Sequence, residues 1–500
     1  MIIFVSDFHL TDGTFDYKGP GKPISHDISH EAFKLFWDNI FRIVDANERD
    51  SIKEITLVLL GDILELRSTS KWVDQAVNPT GTRPWKENNP DQIKVCQKII
   101  DDIGKNNKES LKYLCPNKFH LVDEKNGLRL LIDKLDVTIE IIYVVGNHDR
   151  LIVVHDKLKA YVKKKFGWKF SKAVEGIGEG HKFRDDEIGI LAYHGHDGNN
   201  KDFIDFYKNY EEPVLGGLLS DLTGRLMYHI QETKKKELIT FFMDIDNVRP
   251  SSDSFAWILS NLPQNSETLE TIRSIAKKSL SELEKESEEI FEFLYSRIEE
   301  KINEIPFWGK ILISLISIIV CPFRGKKSCL KRTIEKLLRE MIEKLEKPEE
   351  KHRLVDILGD IKDDKMLKLL TKLSSGKKNN EDRTSGPDSR YYENAKNEMQ
   401  AEGIAASYKY IIYGHSHQYK LLPLITLKEG GISKRTFYFN IGTWKKTVER
   451  NLYPKNSVDF QKWDRMTYLT FFKESENRDH VFDIWHGNLQ TKNDLVSSVF

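Results

Sequence analysis

Five short segments of this chain carry side chains that bind metals or move protons. They are Asp7 and His9 in D-F-H, Gly61-Asp62, Gly146-Asn147-His148-Asp149, His194, and Gly414-His415-Ser416-His417. Asp and His together suit borderline divalent ions such as Mn²⁺, Fe²⁺ or Zn²⁺, whereas Ca²⁺ or Mg²⁺ calls for all-oxygen sites. Residues two apart on an extended segment point the same way. Asp7 with His9, and His415 with His417, can therefore each grip an ion from one chain segment. The glycines at 61, 146 and 414 let the backbone turn sharply beside such groups.

Each segment stands directly behind an apolar run: IIFV, ITLVLL, IIYVV, ILAY and YIIY, in that order. Such runs read as buried strands, and ligands in layered α/β folds collect at strand C-terminal ends. A lone D-x-H or G-D is usually a capped turn, and a lone buried His is usually just hydrogen-bonded. Five such pieces in order, each ending a strand, read as one site. The predicted strands cover 1–10, 55–65, 139–147, 187–194 and 408–414, with later ones at 435–441, 466–473 and 480–486. Helical patterns fill 29–48 and 91–113.

The texture changes between about 200 and 390. Leu269, Ile272, Ile275, Leu283, Ile290, Leu294 and Ile298 fall at helical spacing among Glu and Lys, and 328–347 and 351–373 continue in that style. Residues 374–390 are polar, without periodicity, and read as a linker or loop. The division expected is a core in two parts, 1–200 and 391–500, interrupted by a mostly helical insert over 201–390.

The order of the blocks resembles the calcineurin-like metallophosphoesterase superfamily, whose pattern runs D-x-H, G-D, G-N-H-D/E, H, G-H-x-H. All five blocks stand here unsubstituted, and Asn440-Ile441-Gly442-Thr443-Trp444 is similar to the family's N-x-G-S/T segment. The resemblance covers about 1–200 and 400–490, not the insert. It implies an α/β fold, a calcineurin-like α/β/β/α sandwich of two packed mixed sheets flanked by helices. It also implies two divalent ions: Asp7, His9 and His417 on one, Asn147, His194 and His415 on the other, Asp62 bridging. Mn²⁺ is the first choice, with Fe²⁺ or Zn²⁺ open. The activity implied is hydrolysis of a phosphodiester or pyrophosphate bond by a bridging hydroxide. His148 would protonate the leaving oxygen or stabilise the transition state, and Asp149 would orient His148.

The substrate expected is nucleic acid or a nucleotide derivative. A phosphoprotein ranks lowest, because G-D-I-L-E-L and G-N-H-D stand where those phosphatases have G-D-x-V-D-R-G and G-N-H-E. A membrane-associated hydrolase of a lipid-linked pyrophosphate, and a non-catalytic interaction scaffold on the same fold, are the alternatives. The intact ligand set and His148 speak against the scaffold.

Composition narrows the field further. The chain has 500 residues, with 77 Lys+Arg against 77 Asp+Glu and a formal net charge of zero. Bulk positive charge therefore does not hold it to nucleic acid, although a local groove remains open. Cys96, Cys115, Cys321 and Cys329 are too few and too scattered for a disulfide framework or a Cys-type zinc site. Residues 1–10 lack a basic n-region and read as a strand rather than a signal peptide, so a cytoplasmic location is expected.

The uncharged run 311–321, with Lys310 before it and Arg324, Lys326 and Lys327 after, is short of the ~20 residues a span needs. It reads first as a buried helix. An interfacial anchor or partner-binding helix over 305–327 is the main alternative, which leaves peripheral membrane or protein contact open.

Several residues near the blocks are weighed individually. Glu65 and Arg67 in GDILELR could support the site, Glu65 behind the ligands and Arg67 on a phosphate. His155 and His196 read as ordinary histidines, and Asp197 and Asn199 as shapers of the mouth. Trp72 and Trp85 either pack under their loop or stack on a base, and Arg249 and Trp257 read as parts of a surface turn. The 219 residues between His194 and Gly414 enter and leave beside the site, so a helical cap over the cleft is expected.

Overall fold

Each apolar run divides its side chains between two cores. Ile2 and Phe4 face one cluster while Ile3 and Val5 face another, and Val58 and Leu60 are set against Leu57 and Leu59 in the same way. A strand buried on both faces reads as continuous apolar sequence rather than as an alternation.

The computed structural model describes residues 1–20, 23–46, 52–84, 89–115, 137–174, 178–196, 214–249, 266–286, 408–429, 432–450, 460–476 and 478–489, with residues 257, 261, 392, 395 and 396. Trp85, Asp197, Asn199, the 305–327 segment, the 374–390 linker, Cys321 and Cys329 lie outside the described residues.

In chain order the elements are β1 (Ile2–Val5), α1 (His30–Ala46), β2 (Glu54–Leu60), α2 (Pro90–Asn106), α3 (Lys108–Leu114), β3 (Thr138–Val144), α4 (Leu151–Val154), α5 (Asp156–Phe166), β4 (Lys169–Phe170), β5 (Lys182–Asp185) and β6 (Ile190–Tyr193). There follow α6 (Val214–Thr233), α7 (Lys236–Asn247), β7 (Val248–Arg249), α8 (Ser266–Glu286), β8 (Tyr410–Tyr413), β9 (Tyr419–Glu429), β10 (Ile432–Ile441), β11 (Lys446–Arg450), β12 (Phe460–Phe471) and β13 (Phe482–Leu489).

Two mixed sheets result, one of eight strands in the order β4-β3-β2-β1-β12-β11-β7 with β13 on β12, and one of five in the order β5-β6-β8-β10-β9. β1, β2, β3 and β4 run parallel, as do β6, β8 and β10, so their C-terminal ends share one edge of each sheet. The sheets pack face to face through Ile2, Phe4, Val58, Leu60, Leu469 and Phe471 on one side and Ile190, Ala192, Ile412 and Phe439 on the other. Phe4 meets Phe183 edge-on at 5.6 Å across this interface.

The far face of the larger sheet is covered by helices. α1 contributes Phe33, Phe36, Trp37, Ile40 and Val44, and α2 and α5 contribute Ile99, Ile103, Leu158 and Val162. Burying one such side chain stabilises by ~1.5–3 kcal/mol, so this layer is the main apolar core. Tyr392 and Ala395 lie on the outer face of the smaller sheet. The chain is thus an α/β protein with two mixed sheets and helices.

The helical pattern over 91–113 is broken at Asn107, whose side chain donates to Thr11 O at 2.9 Å. β9 was not legible as a strand because it contains Pro423. It sits at a sheet edge, opposite a register shift between Thr436 and Phe437, where a missing N–H is tolerated.

Trp72 is fully buried and donates Nε1 to Leu66 O at 2.8 Å, so it is a core residue and not a base-stacking platform. Arg249 and Trp257 are not simply parts of a surface turn: Val248 and Arg249 form β7, which pairs with β11, and Trp257 is buried against Phe241 at 5.1 Å. Cys96 and Cys115 are buried thiols. Among the described residues no helix is long and apolar enough to cross a membrane.

Within 201–390, the described part is α6, α7, α8 and the short β7, with Trp257 and Asn261. These helices dock on the segments that follow β1 and β2. Gln231 donates to Thr14 O and Asp16 O, and a Cβ on Gly224 would meet Thr69 O at 2.5 Å. Arg225 joins Asp221 and Glu286, and Arg83 from the loop after β2 pairs with the same Glu286.

Candidate metal centre

The strand ends bring Asp7, His9, Asp62, His194, His415 and His417 together. Three groups converge closely enough for each to hold one ion: Asp7, His9 and His417; Asp62, His194 and His415; and His9, Glu65 and His148, which shares His9 with the first. In the first, His417 Nε2 lies 3.2 Å from Asp7 Oδ1 and 3.1 Å from His9 Nε2. In the second, His194 Nε2 lies 3.0 Å from Asp62 Oδ2. Asp62 Oδ2 is also 3.6 Å from His9 Nε2, so this carboxylate stands between the groups.

The backbone is bent to make this possible. Among the described residues six non-glycine residues have positive φ, and five are Asp7, His9, Asp62, His415 and His417. Such conformations cost ~1–3 kcal/mol each and persist only where the surroundings over-determine them. Here the surroundings are specific. Asp7 Oδ2 accepts from Ser6 Oγ at 2.5 Å and from the His415 amide at 3.0 Å. Thr443 Oγ1 donates to Asp7 O at 2.7 Å, and Asn440 Nδ2 donates to Gly414 O at 2.5 Å. The Asn440–Trp444 segment therefore props two of the five blocks from beneath. Asp62 Oδ1 accepts from the His148 amide at 2.8 Å, and a Cβ on Gly146 would collide with that same carboxylate.

The donor atoms fit a cation. Asn147 Oδ1 is buried with no hydrogen-bond partner, and the buried Asp7 Oδ1 and His194 Nε2 face fellow members of their groups, His417 Nε2 at 3.2 Å and Asp62 Oδ2 at 3.0 Å. His194 Nδ1 lies 3.0 Å from Leu60 O, and a carbonyl only accepts, so the ring's proton sits there and Nε2 faces the site. The electrostatics agree. Burial pushes Asp7 up, but His194 and His417 outweigh it and hold the carboxyl at about 2. Burial pulls His194 down, but Asp62 and Asp7 push it up to about 10. Burial and His194 push His415 down to about 3. Two buried carboxylates thus draw positive charge to themselves, and a proton on His194 supplies it.

Asp149 does not orient His148. Its Oδ2 accepts from the Ile63 amide at 2.8 Å and from Tyr143 Oη at 2.5 Å, and its Oδ1 accepts from the Gly146 amide at 2.6 Å. It braces the turns after β2 and β3, and burial with Asp62 nearby raises it to about 6. The carboxylate beside His148 is Glu65, with Oε2 at 2.7 Å from His148 Nδ1 and at 3.0 Å from His9 Nδ1. Glu65 Oε1 is fixed by the amides of Arg67 and Ser68. The neighbour in sequence lost to the neighbour in space because the tight turn at Gly146 aims Asp149 back under the sheet. Burial pulls His148 down, but Glu65 and Asp62 outweigh it and raise its pKa above the ordinary histidine value.

The remaining candidates separate cleanly. Arg67 is buried with Nη1 at 3.4 Å from Asn147 O, beside the ligand turn. His196 stands at the edge of the second group, its ring 5.5 Å from His194. His155 contacts Gln92 at 3.0 Å, in a different part of the molecule. Ser6 and Tyr143 support the site without any signal in the sequence, because a single Ser or Tyr beside an apolar run is unremarkable. No protein-family model and no curated protein matches the chain. The reading of the site therefore rests on its own geometry.

Proposed function

We propose that this chain is a divalent-metal-dependent phosphoesterase of the calcineurin-like type, hydrolysing a phosphodiester or pyrophosphate bond, with a nucleotide or nucleic acid as substrate. One observation carries the reading: strand-end side chains meet as two ligand groups with Asp62 between them. Asp7, His9 and His417 would hold one ion, and His194 and His415, with Asn147 adjacent in the turn, the other. Bound there, such ions supply Lewis-acid charge to phosphoryl oxygens and acidify a water. Mn²⁺ suits the mixed carboxylate–imidazole set best, with Fe²⁺ or Zn²⁺ close behind.

The chain's own residues would do the rest. His148, held at Nδ1 by Glu65, would present Nε2 to the leaving oxygen. Glu65 and Asp62 shift its pKa upward, in the direction that favours the protonated form a general acid needs. Glu65 would also fix the ring of His9 through Nδ1, leaving Nε2 for the ion.

The test is Mn²⁺-dependent hydrolysis of bis-p-nitrophenyl phosphate and p-nitrophenyl phosphate by the full chain, beside Asp62→Asn. Activity that falls by about a hundredfold or more in the variant supports the reading. Activity equal in both proteins rejects it. Two ions bound with no turnover of either ester points to a cap that admits only its own substrate, and no bound ion revives the scaffold reading.

A further inference from the structure

A cleft of about 220 Å³ opens beside the metal ligand His417. It is lined on its far side by Tyr419, Glu449, Arg465, Thr467 and His486, from β9, β11, β12 and β13. None of these belongs to the five blocks, and nothing assigned so far explains why polar groups collect there.

The cleft carries little net charge despite its arginine. Glu449 grips Arg465 with both oxygens, Nε to Oε1 at 2.7 Å and Nη2 to Oε2. A guanidinium so engaged is neutralised and held flat. Arg465 Nη1 lies 2.8 Å from His486 Nε2. A guanidinium has only donors, so Nε2 accepts and the imidazole proton sits on Nδ1, toward Thr467 Oγ1 at 2.8 Å. His486 is thereby held neutral. Tyr419 stacks on its ring at 5.1 Å and 28°.

What remains is a small concave surface with aromatic faces and fixed donors and acceptors, and no uncompensated lysine or arginine among the described side chains that line it. At about 220 Å³ it lies below the ~300–1,000 Å³ of pockets for drug-sized ligands, which suits a single ring-sized group.

We propose that this cleft binds the organic group attached to the scissile phosphoryl, and that this group is an uncharged ring bearing hydrogen-bond donors and acceptors, a sugar or a nucleobase. A second phosphoryl group would meet Glu449 and an already neutralised Arg465 there. An acyl chain would strip water from the Arg465–Glu449 pair with nothing to replace it. The inference rests on the phosphoesterase reading and adds to it the kind of substrate the site accepts.

Inhibition of Mn²⁺-dependent bis-p-nitrophenyl phosphate hydrolysis by the full chain tests it, with methyl phosphate, uridine 5′-monophosphate and glucose 6-phosphate as inhibitors. Each presents one phosphoryl group to the metals, so any difference reports the organic part. At least one ring-bearing inhibitor is expected to bind about tenfold more tightly than methyl phosphate, within the range of a stacked base. Which one gains distinguishes base from sugar. In His486→Ala, and separately in Tyr419→Ala, that ratio is expected to fall toward one. Equal inhibition by all three in the wild type overturns the proposal, as does a ratio that survives both substitutions. If the protein turns over no phosphoester, the phosphoesterase reading fails by itself. The same ratios are then read as dissociation constants by ligand-observed NMR, and equal constants overturn the cleft proposal independently.

Discussion

Glu65 ties together the two histidines to which the proposed mechanism gives different roles. One oxygen lies against both His9 and His148, and the other is anchored by two backbone amides. Burial raises this carboxyl, but His148 and His9 outweigh it and hold it well below the usual carboxylate range, so it stays charged. Glu65→Gln is expected to lower turnover about 10–100-fold. Because Glu65 is what lifts His148, the limb of the pH–rate profile that reports His148 should move to lower pH. An unmoved profile with full metal content would remove Glu65 from the reaction. His148→Ala should cost turnover and leave metal content intact, and metal loss in step with activity would contradict its role as acid. The proton on His194 gives a second residue-scale outcome. With its pKa pushed up to about 10, His194 must release a proton before its Nε2 can hold an ion. Mn²⁺ affinity should therefore rise as pH increases, with about one proton released on binding. Titration calorimetry in buffers of different ionisation heat measures this, and buffer-independent heats would refute it.

At the scale of elements, the site is made by turns rather than by strands. The strands only deliver the chain to one edge; the positive φ at Asp7, Asp62 and His415 swings the carboxylates and imidazoles inward. Gly146 allows the turn after β3 to press against Asp62. Gly146→Ala should lose metal and activity together, in contrast to His148→Ala, as read by metal analysis of the purified proteins. The insert meets the core through a different device. α7 places Asp246 against His26 at 3.0 Å and Lys445 at 2.6 Å, with Asp27 at 3.5 Å from the other ring nitrogen. Burial and Lys445 pull His26 down, yet Asp246 and Asp27 raise it above its ordinary value of 6.5. A raised folded pKa means that protonation favours the folded state. That contribution is fully present below pH 6.5 and is lost as pH rises through the higher folded value. The difference in Tm between wild type and His26→Gln should therefore be largest at acid pH and shrink toward alkaline pH. A constant difference would show that His26 acts only through packing.

For the whole molecule, strain and ligand binding are linked. Five left-handed non-glycine residues meet at the site, two of them, Asp7 and Asp62, being the buried carboxylates that draw in positive charge. Ions that bind the folded site and not the unfolded chain stabilise it by about 2.7 kcal/mol at a hundredfold excess over Kd. Added Mn²⁺ should raise Tm and a chelator should lower it, with the shift abolished in Asp62→Asn. Equal Tm values with Mn²⁺ and with chelator would argue that the groups hold no ion.

The clustering of these side chains was legible in the sequence because each block ends an apolar run, and a run buried on both faces announces both a strand and its C-terminal end. The order of blocks did not depend on tertiary contacts. Three things did. The partner of His148 is Glu65 and not Asp149, because a turn decides which way neighbouring side chains point. Trp72 is core, because loop residues reveal their burial only once something packs over them. The cleft at Tyr419, Arg465 and His486 draws on four strands, two of which gave no strand signal: β9, interrupted by Pro423, and β11, whose five residues KTVER include a single aliphatic side chain. Sequence spacing records what lies along one strand. The neighbours across a sheet edge are set by register and by the packing of two sheets, which the chain acquires only on folding.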